Sequence, residues 1–319
     1  MKYLKKFETH SQYETYINGS DVALPNVSLC VQQNEVHYNP IVIVQPLIAT
    51  YNVTDASNPT LLFVGAESMG FSASTIYDKI EIDGVEIDMS DLVSIEDADM
   101  TLYGYQISST GEHVIQYTLK DPTMIGAEID EETSMLKIGA TFMTCPITSF
   151  EIPNSVTTIG NNAFYDCSSL TNITIPSSVT TISERAFAGC SSLTSVVIPD
   201  NVTSIGNQAF LSCTSLTSVT IGNGVTTIGE AAFYSCSNLA EVTIPDSVTS
   251  IGNSVFNNCD GLTSATIEAT TPPTIGSYVF ASLRNYTIWV PAASVDTYKA
   301  ASGWSIYASR IHEVGGTLF

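Results

Sequence analysis

Apolar residues return at an interval of 23 along the second half of this chain. One column is Ile159, Ile182, Ile205, Ile228 and Ile251. A second is Phe164, Phe187, Phe210, Phe233 and Phe256, and a third is Leu170, Leu193, Leu216, Leu239 and Leu262. A period between about 20 and 50 residues marks an array of stacked units, none of which can bury its apolar face alone. Within one unit, Leu170-x-x-Ile173-x-Ile175 ends in an alternation that turns Ile173 and Ile175 to the same face of a strand. Pro176 ends that strand, because it cannot donate to a ladder. Val179 and Ile182 predict a second short extended piece, and Gly160, Gly206, Gly229 and Gly252 are read as permitting the corner after it. Ala163-Phe164, Cys167 and Leu170 then fall at spacings of three, which suits one helical or 3₁₀ turn.

Upstream the pattern changes to short alternating runs. Val27, Leu29 and Val31 face Val36 and Tyr38 across Gln32-Gln33-Asn34 as a hairpin, preceded by a short polar helix from Glu8 to Ile17. Ile41 to Val44 and Leu61 to Val64 read as strands. Ile80 and Ile82 alternate before Asp83-Gly84, and Val85 and Ile87 after it, which is a strong two-residue hairpin signal. Gly111 opens a strand in which Ile115, Tyr117 and Leu119 share one face. These runs predict a small β-sandwich-like domain. After the array, ATTPPTIG breaks the period, NYTIWVP offers a final strand with Ile288 and Val290 inward, and Ala292 to Ala301 reads as a short helix. Its apolar face is Val295, Tyr298 and Ala301, with Trp304 as a cap against the last unit. The expected division is a leader at 1–39, the β-sandwich-like domain at 40–122, the solenoid at 123–290 and a C-terminal helical cap at 291–319.

The repeated unit, IPxxVTxIGxxAFxxCxxLTxVT, resembles the BspA-like, Treponema-type leucine-rich repeats from about Phe142 to Ile267. Cys145-Pro146-Ile147 is one residue short of the pattern, and the unit at Ile275 to Phe280 is one residue long. VPAASVDTYKAASGWSIYASRI is similar to the segment that closes such arrays, and the strand-rich region with GEHVIQYTL to modules that precede them. The fold implied is mainly β: a leucine-rich-repeat solenoid with a parallel strand ladder and short helical turns, a β-sandwich-like domain before it and a cap behind. The resemblance also implies display at a cell surface and adhesion.

Charge and composition narrow the chemistry. The 319 residues carry 32 acids against 10 bases, a formal net charge of -22, so attraction to nucleic acid or anionic lipid is not expected. The longest apolar run, Ile41 to Ala49, is broken by Gln45 and Pro46 and is short of the about 20 residues a membrane span needs. The start, MKYLKKFETHSQYE, is basic but has no apolar core of a signal peptide, so either export is not by that route or a leader has been removed, and cytoplasmic or virion-associated placement is open. Six of the seven cysteines, Cys145, Cys167, Cys190, Cys213, Cys236 and Cys259, fall on the period. That spacing does not gather them around zinc; it lines them up at about 4.8 Å per rung, within range of disulfide pairing, and the reading preferred is a column of buried free thiols. The acidic stretch from Asp78 to Asp99 lacks the spacing of a calcium loop and reads as a solvated face. His10, His37, His113 and His312 all lie outside the regular units. Ser68, in AESMG, lacks the first glycine of a nucleophile elbow. No catalytic residue, cofactor or metal site is expected.

What remains is a surface. Between the inward positions of the strands, one outward row is Ser149, Asn172, Ser195, Ser218, Glu241 and Ser264, and the next is Glu151, Thr174, Val197, Thr220, Thr243 and Thr266. Such rows line the concave side of repeat proteins, where extended partners bind, although no aromatic residue sits among these twelve. The expected function is non-enzymatic binding of a protein or glycan partner. The alternative is a structural component of an assembly, such as a phage virion or fibre. Oligomeric state is not legible.

Overall fold

The computed structural model describes residues 27–32, 35–40, 47–53, 60–65, 77–97, 100–107, 109–119, 124–125, 127–129, 136–138, 142 and 145–316. The expected helix at 8–17, the strand at 41–44 and Ser68 lie outside these residues. Residues 1–45 form one unit, in which strands Val27–Gln32 and Glu35–Pro40 pair antiparallel with Val31 opposite Val36. Residues 46–319 form the other.

The second unit is dominated by a solenoid with two parallel ladders. The short ladder stacks seven two-residue strands, from Met124–Ile125 through Thr158–Ile159 and Thr181–Ile182 to Thr274–Ile275. The long ladder is paired in three blocks: Ile147–Glu151 with Asn172–Thr174, Ser195–Ile198 with Ser218–Ile221, and Glu241–Ile244 with Ser264–Ile267 and Thr287–Val290. The isoleucine, phenylalanine and leucine columns are all buried. Rings from Phe142 to Phe280 stack one on the next, with centroids 5.2 Å apart and planes within 9° for Phe164, Phe187 and Phe210. Offset stacking of this kind favours burial of the ring faces.

The glycines do a different job from the one expected. Gly206, Gly229 and Gly252 do not have positive φ; left-handed backbone comes two residues later, at Asn162, Arg185, Gln208, Ala231 and Ser254, and again at Asp166, Gly189, Ser212, Ser235 and Asn258. The glycines are needed because backbones touch between rungs: a Cβ on Gly206 would lie 2.5 Å from the carbonyl carbon of Ser183, and one on Gly229 would lie 2.6 Å from the amide nitrogen of Asn207. The helical turn expected from Ala163 to Leu170 takes the form of consecutive hydrogen-bonded turns. Alternate amides leave it: those of Arg185, Phe187 and Gly189 donate to Asn207, Ala209 and Leu211 of the next rung, while Ala186, Ala188 and Cys190 bond three residues back.

At the N-terminal edge, strand Leu47–Val53 pairs antiparallel with Ile147–Glu151, and on its other side with Gly111–Leu119, so a sheet bridges the expected boundary at 122. The Asp83-Gly84 hairpin forms as expected, with φ of 51° and 80°. Buried Tyr77 and Tyr117 carry the aromatic column onward, Tyr117 meeting Phe142 edge-on at 5.2 Å. At the other edge, helix Val295–Ala300 buries Tyr298, whose hydroxyl donates to the Ala269 carbonyl at 2.8 Å. The buried Trp304 donates through Nε1 to the Pro273 carbonyl at 2.8 Å.

Two substitutions probe this packing. Phe210→Asp places a charge inside the ring column, and its cost should exceed the about 3–5 kcal/mol of a Phe→Ala change. Hydrogen exchange should show protection lost in the rungs on both sides, and an unchanged melting curve would remove Phe210 from the core. Gly229→Ala should cost about 1–3 kcal/mol by overpacking, read as a lower urea midpoint.

Candidate binding face

The long ladder alternates regularly, Val196, Ile198, Val219, Ile221, Val242 and Ile244 inward, and the residues between them outward. Asn172, Ser195, Ser218 and Glu241 of the first row are exposed, and Ser149 and Ser264 are half-buried. In the second row Glu151, Thr174, Val197, Thr220 and Thr243 are exposed and Thr266 is half-buried. Backbone register places Ser149 beside Asn172, Ser195 beside Ser218 and Glu241 beside Ser264. It likewise aligns Glu151 with Thr174, Val197 with Thr220, and Thr243 with Thr266. The rows thus run across the strands at about 4.8 Å per step. Val197, 61% exposed, is the apolar point in them.

The second row does not end at Thr266. Its register continues to Trp289 and then to His312, on the added strand Ile311–Glu313. Both rings are half-buried, with centroids 6.0 Å apart and planes at 55°. The aromatic pair is absent from the row read off the repeats. Its signal was the inward assignment of Ile288 and Val290, which leaves Trp289 outward.

The threonines that recur beside these rows have a structural task. Thr171, Thr194 and Thr217 each donate through Oγ1 to the carbonyl of the threonine or its equivalent one rung back, at 3.0–3.4 Å. Thr180, Thr203, Thr226 and Thr249 do the same on the short-ladder side. The cysteines behave similarly: Cys190, Cys213 and Cys236 donate through Sγ to the carbonyls of Phe164, Phe187 and Phe210. All six array cysteines are free and buried, and burial raises the thiol pKa of Cys190, and of Cys213 to about 12. They are therefore thiols at neutral pH and poor nucleophiles.

A profile of the BspA type leucine rich repeat region matches in six copies, over residues 138–263 and 212–300, which together take in half of the chain. The chain belongs to the BspA-type leucine-rich repeat family. No curated protein matches significantly. Among solved structures, this BspA-type chain is similar to a leucine-rich repeat protein of T. pallidum, with TM-score 0.40 and 22% identity, over 58% of this chain and 92% of that one. A leucine-rich cell surface protein of Faecalibacterium prausnitzii gives TM-score 0.34 and 24% identity, over 64% of this chain and 63% of that one. A leucine-rich repeat protein of Bacteroides capillosus gives TM-score 0.30 and 30% identity, over 38% and 87%.

Outside the BspA-type repeats, one cluster has the composition of a catalytic triad. His113 Nδ1 lies 2.7 Å from Asp83 Oδ2, and its Nε2 lies 3.0 Å from the Ser109 carbonyl and 3.5 Å from Ser109 Oγ. A general base needs a free Nε2 lone pair toward the hydroxyl. Here both ring nitrogens face stronger acceptors, a carboxylate and a carbonyl, and the ring when protonated donates to both and clamps the Asp83 hairpin. Asp83 Oδ1 also accepts from the Val114 amide at 3.0 Å. Other acids of this stretch are satisfied locally: Lys79 bridges Glu81 at 2.9 Å and Glu86 at 3.4 Å, and Asp88 accepts from the Ser90 amide and hydroxyl. Among the described residues no group of three potential metal ligands converges, and no helix is long and apolar enough to cross a membrane.

The clamp makes stability depend on pH in two directions. The hydrogen bond to Asp83 raises the pKa of His113 above 6.5, and that bond together with the Val114 amide lowers the pKa of Asp83 below 3.8. The histidine contribution is present in full below the unfolded value and is lost as pH rises through the raised folded value. The aspartate contribution is present above its unfolded value and is lost as pH falls through the lowered one. Thermal melts should therefore show the clamp worth most between about pH 4 and 6.5, and His113→Gln should flatten the decline above that window.

Proposed function

We propose that this chain is a non-enzymatic binding protein displayed at a cell surface, where the long-ladder face contacts a protein or glycan partner. The observation that carries the reading is the second outward row: Thr243 and Thr266 run in register into the Trp289–His312 pair, and Val197 and Thr220 form an exposed registered pair in the rungs before them. Small hydroxyl side chains keep such a strip flat and wettable, and a half-buried tryptophan at its end supplies the kind of anchor on which recognition concentrates. Membership of the BspA-type repeat family supports the role. In this reading the strands between 46 and 122 serve as a spacer and N-terminal cap for the array.

Labelled full-length chain would be applied to a glycan array and to an array of extracellular proteins. The expected result is capture that falls at least about tenfold in Ser195→Arg/Ser218→Arg and in Trp289→Ala, with circular dichroism unchanged. Capture that survives both variants would move the site off this face. In parallel, protease shaving of intact cells expressing the native gene should remove the chain. Recovery only in sedimenting particles would instead favour a structural part of an assembly.

A further inference from the structure

The last rung departs from the five before it at one corner. The left-handed position held by Asn162, Arg185, Gln208, Ala231 and Ser254 is taken there by Tyr278, at φ 63°. A bulky side chain is uncommon in this backbone region and points to function where packing does not account for it. Packing does not: Tyr278 is 66% exposed. Facing the same space, the 3₁₀ segment Ser305–Arg310 buries Tyr307 but leaves Ile306 70% exposed. Both side chains line an open cleft of about 610 Å³ between the last rung and the cap, with Tyr286 and Arg310 in its wall.

Arg310 gives the cleft its charge. The guanidinium lies 5.2 Å from the centre of the Tyr286 ring, and one nitrogen donates to the Arg284 carbonyl at 2.8 Å. Among the described residues it forms no ion pair, in a chain with 32 acids and 10 bases. A guanidinium has five N–H donors, and a carboxylate can take two of them side by side. The cleft therefore offers an apolar seat and an anion seat next to each other. The aliphatic Ile306 wall favours an apolar side chain over a sugar, whose ring gains chiefly from aromatic faces.

We propose that this cleft is a docking site for a peptide segment bearing an apolar side chain beside a carboxylate, the side chain seated between Tyr278 and Ile306 and the carboxylate on Arg310. It shares no residue with the rows of the long-ladder face and stands independently of them.

A random heptapeptide phage library would be panned against the full chain, and the enriched peptide synthesised for fluorescence polarisation. The expected consensus pairs Asp or Glu with Leu, Ile or Phe. Affinity should fall at least about tenfold in each of Tyr278→Asn, Ile306→Asp and Arg310→Gln. Tyr278→Asn installs the residue that Asn162 already carries at the same corner, so its thermal midpoint should hold or rise. No enrichment, or equal affinity in the three variants, would overturn the proposal. A lowered midpoint with unchanged affinity would make Tyr278 a packing residue and do the same. Capture of a sialylated glycan that the same variants abolish would give the cleft to a sugar, and equally overturn it.

Discussion

Between successive rungs, amides of left-handed corner residues donate to carbonyls of the rung ahead, as Arg185 does to Asn207 and Gln208 to Glu230. Each such corner costs of order 1–3 kcal/mol in backbone strain for a residue other than glycine. The strain persists because the alternative is a buried amide with no partner, a penalty of similar or greater size. Side chains depend on the neighbouring rung in the other direction. Threonine hydroxyls and cysteine thiols bond to the rung behind, and phenylalanine rings stack on both. A single rung is therefore incomplete in its backbone and its core at once, and only the stack satisfies it.

Such a stack has an end problem, solved differently at each edge. At the N-terminal side an antiparallel strand, Leu47–Val53, covers the open edge of the long ladder and leads into a sheet whose tyrosines extend the ring column. At the C-terminal side Trp304 and Tyr298 reach back to the carbonyls of Pro273 and Ala269, in the loop that breaks the period. The antiparallel strand removes unpaired surface at the N-terminal edge of the long ladder, and at the other end the ladder stops on the three-residue strand Ile311–Glu313; short edge strands limit templated association. This arrangement also places the departures from repetition at the ends. Trp289 and His312 on the strand face, and Tyr278 and Ile306 at the cleft, all belong to the last rung or its cap.

Particular residues show how far the sequence could be read. The isoleucine, phenylalanine, leucine and cysteine columns were legible because a 23-residue period leaves each equivalent side chain in an equivalent place, and one buried position implies the rest. The outward rows followed from strand alternation by the same logic. Gly206 and Gly229 were legible as special but not for the right reason, since composition cannot distinguish a corner from a close backbone approach. Trp289 was missed from the row because the row was extrapolated from the repeats, and the strand that carries it lies where the repeat pattern ends. The His113–Asp83 contact joins positions 30 residues apart with no period to announce it.

The sequence by itself determined the solenoid, its core columns and the family, since these rest on local periodicity that recurs often enough to be unambiguous. Tertiary structure alone decided what meets across non-repeating stretches: the Leu47–Val53 strand on the ladder edge, the cap on the ATTPP loop, and the cleft that brings Tyr278, Ile306 and Arg310 together. Those contacts depend on register and chain reversal between segments far apart in sequence. A one-residue slip there would exchange inward for outward side chains without altering the composition of any segment.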